Sequence, residues 1–183
     1  MNNRRQFIQL SSWGLLSPLI SSAIAPVSMD SESIKAVVSQ PEEGETFIVR
    51  ENTPITIRVS KMKDSVASIS LCTEEIQPGG KIPVHKHLHE DEFFIFQKGT
   101  GTIEIDAVEY PVKPGTMGFV PRATWHSITN NNSELLIFTF GYSPAGFEDF
   151  FKQIGTPKGQ PFKPKTPGEI KSIAEKYGMV FKG

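Results

Sequence analysis

The chain has 183 residues, 38% of them hydrophobic and 21% charged, with nineteen basic against twenty acidic side chains and a net charge of −1. That length suits one domain with a real core and is short for two, and the balanced charge gives no electrostatic case for nucleic acid. No uninterrupted apolar run reaches the roughly 18 residues that a membrane span needs, and the single Cys72 has no partner for an internal disulfide.

Residues 1–25 read as an export signal. Arg4 and Arg5 stand near the start, no acid precedes Asp30, and a mildly apolar, Ser-rich stretch runs from Leu10 to Ala25. The string Asn3-Arg4-Arg5-Gln6-Phe7-Ile8 resembles the twin-arginine signal, so the expected destination is the bacterial periplasm. Ala23-Ile24-Ala25 has the small-x-small form of a cleavage site, although Pro26 follows at once; cleavage after Ala23 is the alternative. Residues 26–44 then read as a linker.

From Glu45 the sequence has an all-β rhythm of short strands broken by Gly, Pro, Asn and charged turns. Alternation predicts strands at Ile55 to Val59, Ser68 to Leu71 and Thr102 to Asp106, and denser β-forming runs lie at Phe93 to Phe96 and Leu135 to Tyr142. Cys72 fits a small buried hydrophobe in a strand. The strands occupy 45–142. Beyond them, Ser143-Pro144 reads as the N-cap and first position of a helix with Phe147, Phe150, Phe151 and Ile154 on one face. Thr166-Pro167-Gly168-Glu169 has capping-box spacing, and Gly178 sits where a C-cap glycine would. Two short C-terminal helices are therefore expected within 143–183, joined by a linker from Gly155 to Lys165.

All four histidines lie between positions 85 and 126. His85 and His87 are two apart, so on a strand they share a face about 7 Å apart along the backbone. Glu92 follows the short turn Leu88 to Asp91, and alternation places Phe94 and Phe96 on its side of the returning strand. A hairpin with two imidazoles on one arm and a carboxylate on the other gives three sides of a site for a first-row transition ion. His89 is a competing ligand, since it too is two residues from His87; otherwise it belongs to an exposed turn with the solvated acids Glu90 and Asp91. An orienting bond from one of those acids to a ligand imidazole is the alternative.

The spacing is specific. Gly79, five residues, His85-Lys86-His87, four residues, Glu92, six residues and Gly99 resemble the first cupin motif; Gly115, five residues, Pro121, then His126 and Asn130 resemble the second. One position departs: the glycine usual two residues after the proline is Ala123 here. The resemblance implies a double-stranded β-helix, or jelly roll, holding one divalent transition metal ion (Fe, Mn, Ni, Co, Cu or Zn) on His85, His87, Glu92 and His126. His126 enters as a ligand only through this resemblance. Such a site leaves coordination positions open for a small-molecule substrate, with Glu92 as catalytic base and Phe94 and Phe96 as an apolar wall. Exposed barrel edges make a homodimer an expectation.

The run from Tyr142 to Phe151 and the ending Glu175-Lys176-Tyr177-Gly178 carry a second, less specific resemblance, to bacterial cupins of the quercetin 2,3-dioxygenase-like group. It implies a metal-dependent dioxygenase acting on a phenolic or enolisable small molecule. A metal-dependent isomerase or lyase is a variant of that expectation, and a non-catalytic exported protein that captures a metal or small ligand is the alternative.

Overall fold

A computed structural model describes residues 36–50 and 52–183. The export signal read over 1–25 lies outside the described residues, as does the first part of the linker. Among the described residues no helix is long and apolar enough to cross a membrane.

Ten strands run to the end of the barrel: β1 (Glu45–Arg50), β2 (Thr53–Val59), β3 (Leu71–Ile76), β4 (Lys81–His87), β5 (Asp91–Lys98), β6 (Gly101–Ile105), β7 (Val108–Val112), β8 (Met117–Val120), β9 (His126–Thr129) and β10 (Leu136–Ser143). Two short strands follow, β11 (Thr156–Pro157) and β12 (Met179–Phe181). All pairings are antiparallel, in a seven-stranded sheet ordered β11-β1-β2-β3-β10-β5-β8 and a five-stranded sheet ordered β12-β4-β9-β6-β7. The inward positions bury Ile55, Ile57, Cys72, Phe94, Phe96, Ile103, Ile128, Leu136, Phe138 and Phe140 between the sheets. This is the alternating-face logic of a double-sheet jelly roll. The two motifs meet at their ends: Gly79 N–H donates to the Asn130 carbonyl (2.9 Å), and the buried Asn130 amide donates to the carbonyls of Ile76 and Glu134.

Several local expectations yield to long-range pairing. Residues 68–70 are not a strand; β3 starts at Leu71. There Gly141 of β10 lets Ser70 close in, since a Cβ on Gly141 would lie 2.1 Å from the Ser70 carbonyl oxygen. Asp106 leaves β6 for a left-handed turn with Ala107. Ser143 is no N-cap: it continues β10 in register with Asp91, and the helix begins six residues later. Ladder bonds there outweigh a local capping signal.

Among the described residues three helices accompany the sheets. α1 (Lys61–Asp64), unforeseen, is capped by Ser60, whose hydroxyl accepts from Lys63 N–H. α2 (Asp149–Ile154) buries Phe150, Phe151 and Ile154. α3 (Pro167–Lys176) carries the expected capping box between Thr166 and Glu169, and Gly178 follows it with φ of 69°. The C-terminal stretch also joins the sheets: Met179 and Phe181 of β12 lie in register with His87 and His85, and Phe47 and Ile48 pair with Pro157 and Thr156 of β11. Neither three-residue Met-Val-Phe nor two-residue Thr-Pro is long enough to declare a period.

Candidate metal centre

The chain crosses between sheets at the turn Leu88–Glu90. β4 belongs to the five-stranded sheet and β5 to the seven-stranded one, so the expected hairpin is absent. Instead, His85 and His87 reach inward from one wall of the barrel and Glu92 from the other. His126, on β9, is the direct register partner of His85. One donor atom from each of His85, His87, Glu92 and His126 lies within 4.8 Å of the others, and all four residues are buried, between 1% and 6% exposed.

Electrostatics sets the protonation of the group. Burial, then the neighbouring His126 and His87, pushes His85 down to about 3, so its imidazole is neutral. Burial alone would raise the Glu92 carboxyl; bonds from His126 (Nε2 to Oε2, 2.8 Å) and the contact with His87 (3.3 Å) more than reverse this and keep it ionised. His126 is disfavoured as a cation by burial, yet its bond to Glu92 lifts its pKa overall. His85 and His126 are fixed from behind by the carbonyls of Pro83 (2.8 Å) and Thr124 (3.1 Å).

A metal fits this donor set. Neither ring nitrogen of His87 has a hydrogen-bond partner among the described residues, although the ring is buried. Leaving a buried imidazole unsatisfied costs about 1–3 kcal/mol, a cost that ligation by Nε2 removes on that side. Three imidazoles and one carboxylate within one ion's reach suit divalent first-row ions generally.

Three of the four, His85, Glu92 and His126, line a cavity of about 170 Å³. Its walls are aromatic, including Phe94, Phe138, Phe140, Tyr142 and Phe147. Phe96 is outside that lining, packed against Phe138 at 5.4 Å between ring centres. The lining also carries Arg50, Lys81 and the buried Glu74, whose carboxylate accepts from Arg50; burial raises the Glu74 pKa and Arg50 pulls it back in part. Sequence reasoning missed Tyr142, Arg50 and Glu74. Tyr142 lies in register with Glu92 across the β5–β10 pair, and burial followed by the Glu92 charge keeps its hydroxyl protonated.

His89 is exposed and stands against Gly178, outside the four-residue cluster. The turn acids are not simply solvated. Asp91 binds Arg122 through both its oxygens, and those bonds hold its pKa down at about 2. Glu90 has one carboxylate oxygen fully buried. Ala123 takes φ of 65°, the left-handed conformation that the family glycine serves; the strain is about 1–2 kcal/mol. Its N–H donates to the His87 carbonyl, which ties that turn to the cluster strand.

The family described as Cupin domain matches residues 72–141. The dimethylsulfoniopropionate lyase DddW of Ruegeria pomeroyi is 29% identical over 124 residues, covering 67% of this chain and 76% of the relative. Among solved structures, KdgF from a Halomonas species superposes with a TM-score of 0.55 at 15% identity, over 63% of this chain and 99% of its own. An RmlC-like cupin from Shewanella frigidimarina gives 0.54 at 19% identity, over 63% and 96%. With both motifs in register on a two-sheet barrel around a buried His and Glu cluster, residues 72–141 match the cupin domain and the barrel has the cupin fold.

Proposed function

We propose that this chain is a metal-dependent enzyme that holds one divalent ion on His85, His87, Glu92 and His126 and removes a proton from a small, enolisable, anionic substrate. The observation that carries the reading is that His85, Glu92 and His126 of the buried donor cluster line an aromatic cavity that also presents Arg50. A bound ion supplies Lewis acidity toward a substrate oxygen. The rest falls to side chains: Glu92 is the ionised carboxylate at the cavity wall and the candidate proton acceptor, the aromatic walls exclude water, and Arg50 offers guanidinium donors to a substrate carboxylate.

The Ruegeria relative is named as a lyase of dimethylsulfoniopropionate, a carboxylate that also carries a sulfonium group, and aromatic walls suit a sulfonium group as well. The same walls would accept a flat phenol, so a dioxygenase on a phenolic substrate is the second reading. Both are tested on protein loaded separately with Fe, Mn, Co, Ni, Cu and Zn. Release of dimethyl sulfide from dimethylsulfoniopropionate supports elimination; oxygen uptake with a flavonol or catechol supports the dioxygenase. Neither product with any metal-loaded form would sink the enzyme reading for these substrates and favour capture of a metal or small ligand.

Arg50 gives a sharper expectation. Arg50→Lys keeps a cation beside Glu74 but removes the fork that grips a carboxylate. The Michaelis constant for an anionic substrate should rise about tenfold, with kcat changed far less, because binding rather than the reacting atoms is affected. Equal values in variant and wild type would remove Arg50 from the substrate site.

We also propose that the first 25 residues direct export by the twin-arginine route, which carries folded proteins and would let the ion load beforehand. Arg4→Lys with Arg5→Lys should hold the protein in the cytoplasm on cell fractionation; unchanged periplasmic recovery would refute that route.

A further inference from the structure

Three imidazoles meet at the cluster, and two are anchored from behind. Nδ1 of His85 and of His126 each reaches the carbonyl oxygen of the residue two places upstream, so Nε2 turns inward. His87 also turns Nε2 inward, 3.3 Å from Glu92 Oε2. Its Nδ1, on the other side of the ring, is buried and has no partner among the described residues. An imidazole that ligates through Nε2 carries its proton on Nδ1, and that proton needs an acceptor.

One acceptor is to hand. Glu90 leaves the turn three residues after His87, and its Oε2 is buried without a hydrogen-bond partner among the described residues. After burial, the charge that acts most on Glu90 is that of His87, ahead of His89 and Arg122. Other carboxylates are committed: Asp91 to Arg122, Glu148 to the N–H groups of Lys61 and Gly146, Glu74 to Arg50, and Glu92 to Nε2 of His126 and the inward side of His87.

We infer that Glu90 is a positioning residue whose buried carboxylate oxygen accepts the Nδ1–H of His87, fixing the third imidazole as Pro83 and Thr124 fix the other two. Both atoms being without a partner among the described residues, the contact requires the Glu90 side chain to rotate. The inference rests on the metal reading given above. It also revises the view of Glu90 as a solvated turn acid: the residue sits behind the site and acts on it through His87.

The test uses Glu90→Ala and Glu90→Gln in the full chain, with zinc and cobalt as probe ions. Chelator competition should show zinc and cobalt bound about 10–100-fold more weakly by Glu90→Ala, and less weakened in Glu90→Gln, whose amide oxygen still accepts. In proton–nitrogen spectra of the zinc-loaded protein, the His87 Nδ1–H should be a slowly exchanging, strongly downfield signal that Glu90→Ala abolishes. Affinity within about twofold of wild type, or an unchanged Nδ1–H signal in Glu90→Ala, overturns the inference. If His87→Ala abolishes zinc binding while Glu90→Ala does not weaken it, only the role of Glu90 falls. If the wild-type chain binds neither ion, the metal reading falls and this inference with it.

Discussion

Replacing His87 with Ala should lower the metal retained by the purified protein by about tenfold or more, measured by mass spectrometry. The ring supplies one of four donors and, unlike His85 and His126, makes no hydrogen bond to a backbone carbonyl among the described residues. Its removal has two opposing effects on the protein without metal. Packing is lost against Phe147, whose ring centre is 4.2 Å away, and Tyr142, at 5.0 Å. Unsatisfied buried nitrogens are removed at the same time, which returns about 1–3 kcal/mol. The metal-free variant should therefore stay folded. What disappears is the stabilisation by the ion, about 2.7 kcal/mol at a hundredfold excess over Kd. His89→Ala is the control: the residue is exposed and outside the cluster, so it should retain full metal. Undiminished metal in His87→Ala would refute the ligand set. Loss in His89→Ala with retention in His85→Ala would replace His85 with its competitor.

Three of the four cluster residues were legible because they obey a short rule, and His126 was supplied by the second motif. His85 and His87 share a face by the period of two, and the fixed step to Glu92 keeps that residue opposite them. The hairpin drawn from that rule was still wrong, because sheet membership is decided by partners such as Phe181 for His85 and Val120 for Glu92, far away in the chain. The same cause hid Tyr142, Arg50 and Glu74. Nothing near Arg50 in sequence marks it as facing a cavity; it does so because β1 pairs with β2, and β2 with β3, where Glu74 lies. Local grammar worked where no distant partner competed, as in the Thr166 capping box, and failed at Ser143, which the Asp91 strand claims. Ala123 marks the limit of motif reading in the other direction. The residue changed while the left-handed turn it serves did not.

Glu148→Ala should destabilise the fold by about 3–5 kcal/mol, the largest loss we expect from one polar side chain outside the cluster. The residue is fully buried. Its Oε1 accepts from Lys61 N–H at 2.8 Å and its Oε2 from Gly146 N–H at 2.7 Å, so one carboxylate joins the start of α1 to the connection between β10 and α2. Alanine leaves both donors unanswered and opens a void where the carboxylate stood. Glu148→Gln should fall between, since its amide can still accept from one N–H but turns a donor toward the other. Urea unfolding measures both, and a drop of about 3–5 kcal/mol would lower Tm by roughly 6–20 °C for a domain this size. The effect should reach the metal centre too. Phe147, next in sequence, packs edge-on to His87, so loosening this connection frees one wall of the imidazole and should weaken metal retention in step with stability. A loss below about 1 kcal/mol would mean that water answers these N–H groups as well as the carboxylate does. Full metal retention in a destabilised variant would show that the wall beside His87 does not depend on that anchor.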